Sequence, residues 1–445
     1  MRIYDTFTNS NREFSTVSGG KDVKMYSCGI TVQDSAHIGH MRALIVADII
    51  KRVLISEGYN VFSVYNFTDI DDKLIEKMKE GDDYRIIAQR NIDEFMKFLR
   101  MMNVLDFTVY PRATNHIQEI IELIENLIKK QFAYESNGNI FFRVSKFKEY
   151  GKLSGKNIDD LIGGKRIEIN ENKESPLDFV LWKKAKEGEP YWYSPFGRGR
   201  PGWHIECSAM SMKYLGETFD IHTGGEDLIF PHHENEIAQS ECSTGKKFAK
   251  YWVHNGMVNL KGEKMSKSIG NVFKLRDILS RWHPNVVRLY LLKTHYRKLI
   301  EYSEERLNEA DSAFKRIQNA LDGEILERDE KVYMEKFSEA LRDDFNTVQA
   351  LGYIFDAVNE INQKSENSSF LRGEVTVMLN RLGFISEKKE KIGHKSDMIN
   401  LLIEIRENAR KNKNFELSDK IRDNLKEMNI TVNDSKEGVR WKRED

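Results

Sequence analysis

The sequence predicts an α/β protein in which a parallel-sheet domain is split by an insertion, then followed by an all-α helix bundle and a small C-terminal domain. Three observations carry this reading: a strand-helix-strand pattern near the start, a change of texture between about residues 111 and 200, and a helical, charged stretch beyond about Asp277. At 445 residues the chain is too long for one compact core, so two to four domains are expected.

Lys24 to Val32 reads as a short buried strand, and His40 to Leu54 keeps helical periodicity through Leu44, Ile45, Ala47, Asp48, Ile49 and Val53. Val61 to Asn66 alternates apolar and polar positions as a second strand, and the acidic turn Thr68-Asp69-Ile70-Asp71-Asp72 follows it. A strand-helix-strand unit favours a parallel sheet with ligands at the carboxyl ends of its strands. This first half takes residues 1–110. Residues 111–200 read as an insertion: an amphipathic helix from Ile117 to Lys130, then short strands and turns such as Asn139-Ile140-Phe141-Phe142-Arg143 and Tyr191-Trp192-Tyr193-Ser194-Pro195. Residues 201–270, dense in His, Cys, Asp and Gly, return to strand and helix pieces and complete the split domain. A segment at 271–310 leads to helices at 311–385, with Leu307, Ala310, Phe314, Ile317 and Leu321 at helical spacing. Leu321 to Val332 and Ser365 to Ser369 are helix connections, and lysine-rich Ile385 to Lys395 is a linker to the last unit, 396–445.

Composition narrows the function classes. The net charge of -1, from 69 basic and 70 acidic residues, advertises no nucleic-acid partner by global field. Three cysteines, an odd number in a long chain, argue for a reducing compartment rather than a disulfide framework. The start of the chain lacks an apolar signal region, and runs such as Ala43-Leu44-Ile45-Val46 fall far short of a membrane span. A soluble, cytoplasmic protein without a membrane partner is expected.

Two motifs carry phosphate chemistry. His37-Ile38-Gly39-His40 sits where a strand gives way to a helix, and amides and dipole at a helix start favour anions. Lys264-Met265-Ser266-Lys267-Ser268 supplies cations and hydroxyls. The plain alternatives are helix-capping histidines and a surface lysine loop. No P-loop is present, and Gly197-Arg198-Gly199-Arg200-Pro201-Gly202 follows a turn rather than a strand, so it reads as a mobile basic loop. A thiol and imidazole set, Cys28, Cys207 and His232-His233-Glu234-Asn235-Glu236, offers zinc ligands. On a helix His232 and Glu236 stand at i and i+4, and His233 with Glu236 at i and i+3; spacing leaves both open.

On these residues the chain resembles the class I aminoacyl-tRNA synthetases, and within them the cysteinyl-tRNA synthetase family. The resemblance runs through Cys28-Gly29-Ile30-Thr31-Val32 into the histidine motif, Asn66-Phe67-Thr68-Asp69-Ile70-Asp71-Asp72-Lys73, Gly202-Trp203-His204-Ile205-Glu206-Cys207-Ser208-Ala209-Met210, and Asp220-Ile221-His222 through Phe230-Pro231-His232-His233-Glu234-Asn235-Glu236, to the lysine loop. It implies a Rossmann-like, nucleotide-binding catalytic domain and the two-step joining of L-cysteine to tRNA(Cys) through cysteinyl-adenylate. It implies one Zn²⁺ per chain on Cys28, Cys207, His232 and Glu236, which separates the cysteine thiolate from serine's hydroxyl without an editing domain. ATP with Mg²⁺ would lie along His37, Gly39 and His40 under Lys264, Ser266 and Lys267, with Lys267 the stronger of the two lysines. The resemblance further implies that Gly29 belongs to the substrate site, that Thr68 and Asp227 meet the ammonium side, and that Trp203 and His222 wall the pocket. Asp69, Asp71 and Asp72 read as helix caps and structural pairs in preference to a Mg²⁺ cluster.

In the family, 271–310 contacts the tRNA stem, the bundle docks along the tRNA and the last domain reads the anticodon. Asp397 to Asp445 carries 11 basic and 11 acidic residues, so charge does not argue for this. The pattern Asp419-Lys420-Ile421-Arg422-Asp423 and the ending Arg440-Trp441-Lys442-Arg443 match the family's terminus; Trp441 would stack on an unpaired base or pack against the last helix. A monomer is the family's default.

Overall fold

The parallel sheet forms, in a computed structural model of the chain, from four strands: β1 (Asp22–Thr31), β2 (Asn60–Thr68), β3 (Phe219–Gly225) and β4 (Ala249–Asn255), in the order β4-β3-β1-β2. The structure describes residues 1–78, 81–156, 172–260, 263–264, 273–326, 331–385, 402–407, 409–410, 414–427, 430–435 and 438–443. Helix α1 (Ile38–Ser56) crosses from β1 to β2, and α3 (Glu234–Thr244) from β3 to β4. Because β1 and β3 are neighbours whose crossovers leave in opposite directions, their carboxyl ends form the switch point where open α/β sheets take ligands. The strands are longer than the periodicity indicated, since Asp22↔Asn60 and Thr31↔Thr68 extend the ladder beyond the apolar run.

Between β2 and β3 the insertion builds a five-stranded antiparallel sheet, ordered Ala133–Ser136, Asn139–Phe142, Phe179–Lys184, Gly197–Pro201, Trp192–Ser194. Gly197 to Pro201 of the basic stretch is therefore a strand, not a mobile loop, and Gly202 caps the helix that follows: Trp182↔Pro201 and Lys184↔Gly199 pair on one side and Trp192↔Gly199 on the other. Its glycines fit closely, for a Cβ on Gly199 would stand 2.3 Å from Trp182 Nε1 and one on Gly202 2.1 Å from Val180 O. Ile120, Ile124, Phe142, Leu181 and Trp182 form the insertion's core. That core continues onto helix α2 (Trp203–Leu215) and α3 through Ala209, Ala238 and Cys242.

A second continuous core joins the sheet and α1 to the helices Pro284–Leu292, Glu304–Ala320, Met334–Arg342, Thr347–Asn362 and Ser368–Arg381. At its centre the buried Arg288 guanidinium meets Asp48 of α1 at 2.8 Å and the carbonyls of Met102, Asn103 and Leu382. All of this lies in one compact unit, Met1–Ile385. The second unit, Ser386–Asp445, contains the helix Phe415–Glu427 and the hairpin Ile430–Ser435/Gly438–Arg443, cored by Ile403, Ile421, Leu425 and Ile430. The proposed linker segment 386–395 lies outside the described residues. No described helix is long and apolar enough to cross a membrane.

Candidate active site and metal centre

The histidine motif caps α1. His37 is the N-cap in extended conformation, its Nδ1 accepts from the His40 amide at 3.4 Å, and His40 Nδ1 accepts from the His37 amide at 3.3 Å. The reciprocal box stacks the two rings at 3.5 Å over the positive end of a 19-residue helix. The capping alternative is thus realised, and it is also what sets both imidazoles side by side. The far flank of the lysine loop returns to this point: the Ile38 amide donates to Phe273 O at 3.2 Å and the Leu275 amide to Ala36 O at 2.8 Å. On the near flank, Lys264 pairs with Asn259 in a small sheet that begins three residues past β4. The two motifs are joined at the sheet's carboxyl edge by these flanks; Ser266 and Lys267 themselves lie outside the described residues.

Beside them four side chains converge from β1, α2, the helical turn Ile229–His233 that leads into α3, and α3 itself. Cys28 Sγ lies 3.7 Å from Cys207 Sγ and 3.4 Å from Glu236 Oε1, and His232 Nε2 lies 3.0 Å from the same oxygen. Two sulfurs each about 2.3 Å from a tetrahedral zinc are about 3.8 Å apart, so the donor set and spacing fit that ion. A second overlapping set, Cys28, His222, His233 and Glu236, is also close enough to hold a metal. The two sets differ in what they adjoin. His222 and His233 are sealed at 0 %, whereas His232 stacks at 4.4 Å on Trp203, which is 44 % exposed at the cleft. The set containing Cys207 and His232 thus adjoins a residue of the cleft, while Cys207 and His232 are themselves buried at 2 %.

The four groups shift one another's protonation, and, against burial, Glu236 and Cys207 raise His232 to about 10. Cys207 is drawn down to about 6 chiefly by the thiol of Cys28, against burial, and burial pushes Cys28 well up. For Glu236, burial raises the carboxyl, but His222 and His232 overcome it and hold it well below the usual range. Around the set, His204 Nδ1 meets His232 Nδ1 at 2.9 Å, His222 Nε2 meets Glu236 Oε2 at 2.9 Å, and His233 Nδ1 meets His254 Nε2 at 2.8 Å. Burial keeps His204, His233 and His254 neutral, His254 at about 3. Such partners fix ring orientation around a metal.

The remaining expected residues are distributed unevenly. Trp203 lines a cleft of about 1100 Å³ between the sheet and the insertion, with His204, Glu206, Thr31 and Gln33. Gly29 closes on β2, its amide donating to Asn66 Oδ1 at 2.8 Å. Thr68 is buried and its hydroxyl donates to Glu206 Oε2 at 2.8 Å. Asp227 is exposed in the turn after β3. His222 is fully buried, bonded to Glu236 Oε2 at 2.9 Å and stacked on Trp252 at 4.3 Å. Asp69 accepts from Thr114, Asp71 caps the Leu74 amide at 2.9 Å, and Asp72 pairs with Lys183 and Arg200, so the acidic turn is structural. Cys242 is a buried thiol pushed up to about 12 by burial. Arg440 to Arg443 lie in the final strand, Gly438–Arg443, Trp441 opposite Val432; their side chains lie outside the described residues.

Sequence reasoning gave no role to Glu206, Glu234 or His204. Glu234 is fully buried and accepts from the Leu153 and Ser154 amides of the insertion at 3.2 and 2.9 Å. The signal was their place in motifs already singled out, each a charged or polar residue one to three positions from a thiol or a metal-ligating imidazole.

This fold and site define a class I aminoacyl-tRNA synthetase. Residues 14–312 match the tRNA synthetases class I (C) catalytic domain and 336–385 the DALR domain. Among solved structures, Mycobacterium tuberculosis methionyl-tRNA synthetase in complex with methionyl-adenylate superposes with TM-score 0.60 at 18% identity, covering 82% of this chain and 90% of that one. The Agrobacterium radiobacter K84 LeuRS-tRNA-LeuAMS complex gives 0.58 at 12%, covering 83% and 84%; both likenesses concern the fold. The cysteine–tRNA ligases of Carboxydothermus hydrogenoformans and Thermococcus onnurineus are 46% and 44% identical, covering 100% of this chain and 100% and 99% of theirs. That of Geobacter sp. strain M21 is 47% identical over 99% of both chains. The chain belongs to the cysteine–tRNA ligase family and is, with it, a ligase.

Proposed function

We infer that the chain activates L-cysteine with Mg-ATP and transfers it to tRNA(Cys). The observation that carries this is the Cys28, Cys207, His232 and Glu236 set standing at the same sheet edge as the histidine motif and the flanks of the lysine loop. A cysteine carboxylate oxygen attacks the α-phosphorus while the bond to the β-phosphate breaks and pyrophosphate leaves. A hydroxyl of the tRNA's terminal adenosine then attacks the carbonyl, and AMP leaves.

The protein's part is to position and to neutralise charge. His37, Gly39 and His40 line the triphosphate at the positive end of α1, and Lys264, Ser266 and Lys267 close over it. Gly29, Thr68, Asp227 and Trp203 bound the amino acid, with the Thr68 hydroxyl held by Glu206. Zinc, when bound by the four ligands, supplies a thiophilic Lewis acid that favours a thiolate over a hydroxyl. Arg440, Trp441, Lys442 and Arg443 contact the tRNA, and the enzyme works as a cytoplasmic monomer. Pyrophosphate exchange into ATP, run with cysteine and with serine, tests the reading: exchange with cysteine alone is expected, and equal exchange with both overturns it.

A further inference from the structure

Tyr26 lies on β1 two residues before Cys28, so the two side chains share one face of the sheet. Its register partner across the sheet is His222, whose ring centroid is 5.3 Å away, and it belongs to the same buried cluster as Cys28, Cys207 and Phe219. Tyr26 is 0 % exposed, and its hydroxyl finds no hydrogen-bond partner among the described residues. A buried phenol without an acceptor is costly and uncommon. Burial raises its phenol well above the ordinary range, and Cys207, Cys28 and Glu236, the residues of the candidate metal centre, add to the rise. Nothing in the proposed reaction uses this group.

We propose that Tyr26 is a positioning residue whose O–H donates to the Cys207 thiolate once the metal is held, and so tunes the centre's affinity for the substrate's sulfur. The proposal rests on the reading of Cys28, Cys207, His232 and Glu236 as a zinc site. Two thiolates and a carboxylate around a dication leave one net negative charge in a dry site. Adding the substrate thiolate makes it two. A hydroxyl aimed at one resident sulfur disperses that excess charge and weakens the sulfur's donation, which leaves the metal a better acceptor for the incoming thiolate.

The test uses the full chain loaded with cobalt in place of zinc and reads the sulfur-to-cobalt charge-transfer band. Its absence from the parent protein would sink the metal reading itself. With the band present, Tyr26→Phe should move it to lower energy, because an unbonded thiolate gives up an electron more easily. Cysteine binding should weaken about tenfold with ATP binding unchanged. The packing control Phe219→Leu loosens the same cluster without removing a donor and should leave the band in place. 4-Aminophenylalanine at position 26 keeps a donor and should restore the band, including when Tyr26→Phe does not fold. Cobalt lost from Tyr26→Phe but kept by the control also supports the proposal. An unmoved band, an equal shift in the control, or no restoration by the amino analogue overturns it.

Discussion

Replacing Cys207 with serine separates a metal that reads the substrate from one that merely braces the fold. Cys28 and Cys207 stand 3.7 Å apart, close to the sulfur spacing of a tetrahedral zinc site. Serine at 207 keeps the volume but offers a harder atom on a shorter bond that stays protonated near neutrality. Zinc held by four ligands binds with about 10–16 kcal/mol in small structural sites, so one ligand's share is about 3 kcal/mol, a loss of roughly 10² in zinc affinity. The substitution leaves the histidine motif and the loop flanks intact. Cysteine's KM in pyrophosphate exchange is therefore expected to rise by about 10² at limiting zinc, with ATP's KM nearly unchanged, and a chelator competition should show zinc released correspondingly earlier. A metal-free protein of undiminished activity, or equal losses for cysteine and ATP, would refute the reasoning.

Three further outcomes follow from packing and protonation. Gly29→Ala would put a Cβ 1.5 Å from Asn66 O, a backbone atom in a neighbouring strand, so urea unfolding should show a loss above about 3 kcal/mol; a near-neutral result would mean β1 and β2 can part freely. Arg288→Met removes one of the two guanidinium groups that meet buried Asp48, leaving it Arg52 at 2.9 Å and the Leu105 amide, and takes a donor from the carbonyls of Met102, Asn103 and Leu382; it should cost about 2–3 kcal/mol in the same measurement, and an unchanged stability would count against this packing. His254, kept neutral by burial with a smaller contribution from His222, titrates at about 3 folded and near 6.5 unfolded. The unfolded chain binds more protons in that window, so this contribution to stability is present above about 6.5 and is lost as pH falls towards 3. His254→Phe should lower the slope of stability against pH between 6 and 4.5 by up to about 1.4 kcal/mol per unit, and an unchanged slope would count against a buried neutral ring.

The strand-helix-strand unit was legible because its apolar residues recur at the periods of sheet and helix, and neighbours in sequence are there neighbours in space. Its ends were less so. α1 begins at Ile38 rather than His40, since the reciprocal histidine cap admits one more half-turn than apolar periodicity reveals. Gly197 to Pro201 was misread because a strand poor in apolar residues is recognised by its partners, here supplied by Phe179–Lys184 and Trp192–Ser194. Cys28, Cys207, His232 and Glu236 were each visible as metal-binding residue types, but spacing alone left His232 and His233 equivalent. His232 stacks on the half-exposed Trp203, and that contact joins residues nearly thirty positions apart. His204 and His254 were illegible as a network for the same reason: each touches the centre through another histidine.

Topology explains why the candidate metal set and the histidine motif share one edge. β1 and β3 run side by side only through Ile221↔Met25, His222↔Tyr26 and Thr223↔Ser27, and then each continues without the other. The residues just beyond are Cys28 and Gly29 on one strand and Gly224 and Gly225 on the other. A Cβ on Gly224 would lie 2.6 Å from His233 Cε1, so the missing side chain is what lets the start of α3 settle into the gap. Into the same gap α2 brings Cys207 from the far side of the insertion. The split in the chain is thus not incidental to the chemistry. A helix entering from the insertion and a helix leaving β3 can meet β1 only where two parallel strands diverge, and that is also where the β1 crossover begins with its capped, anion-favouring helix end.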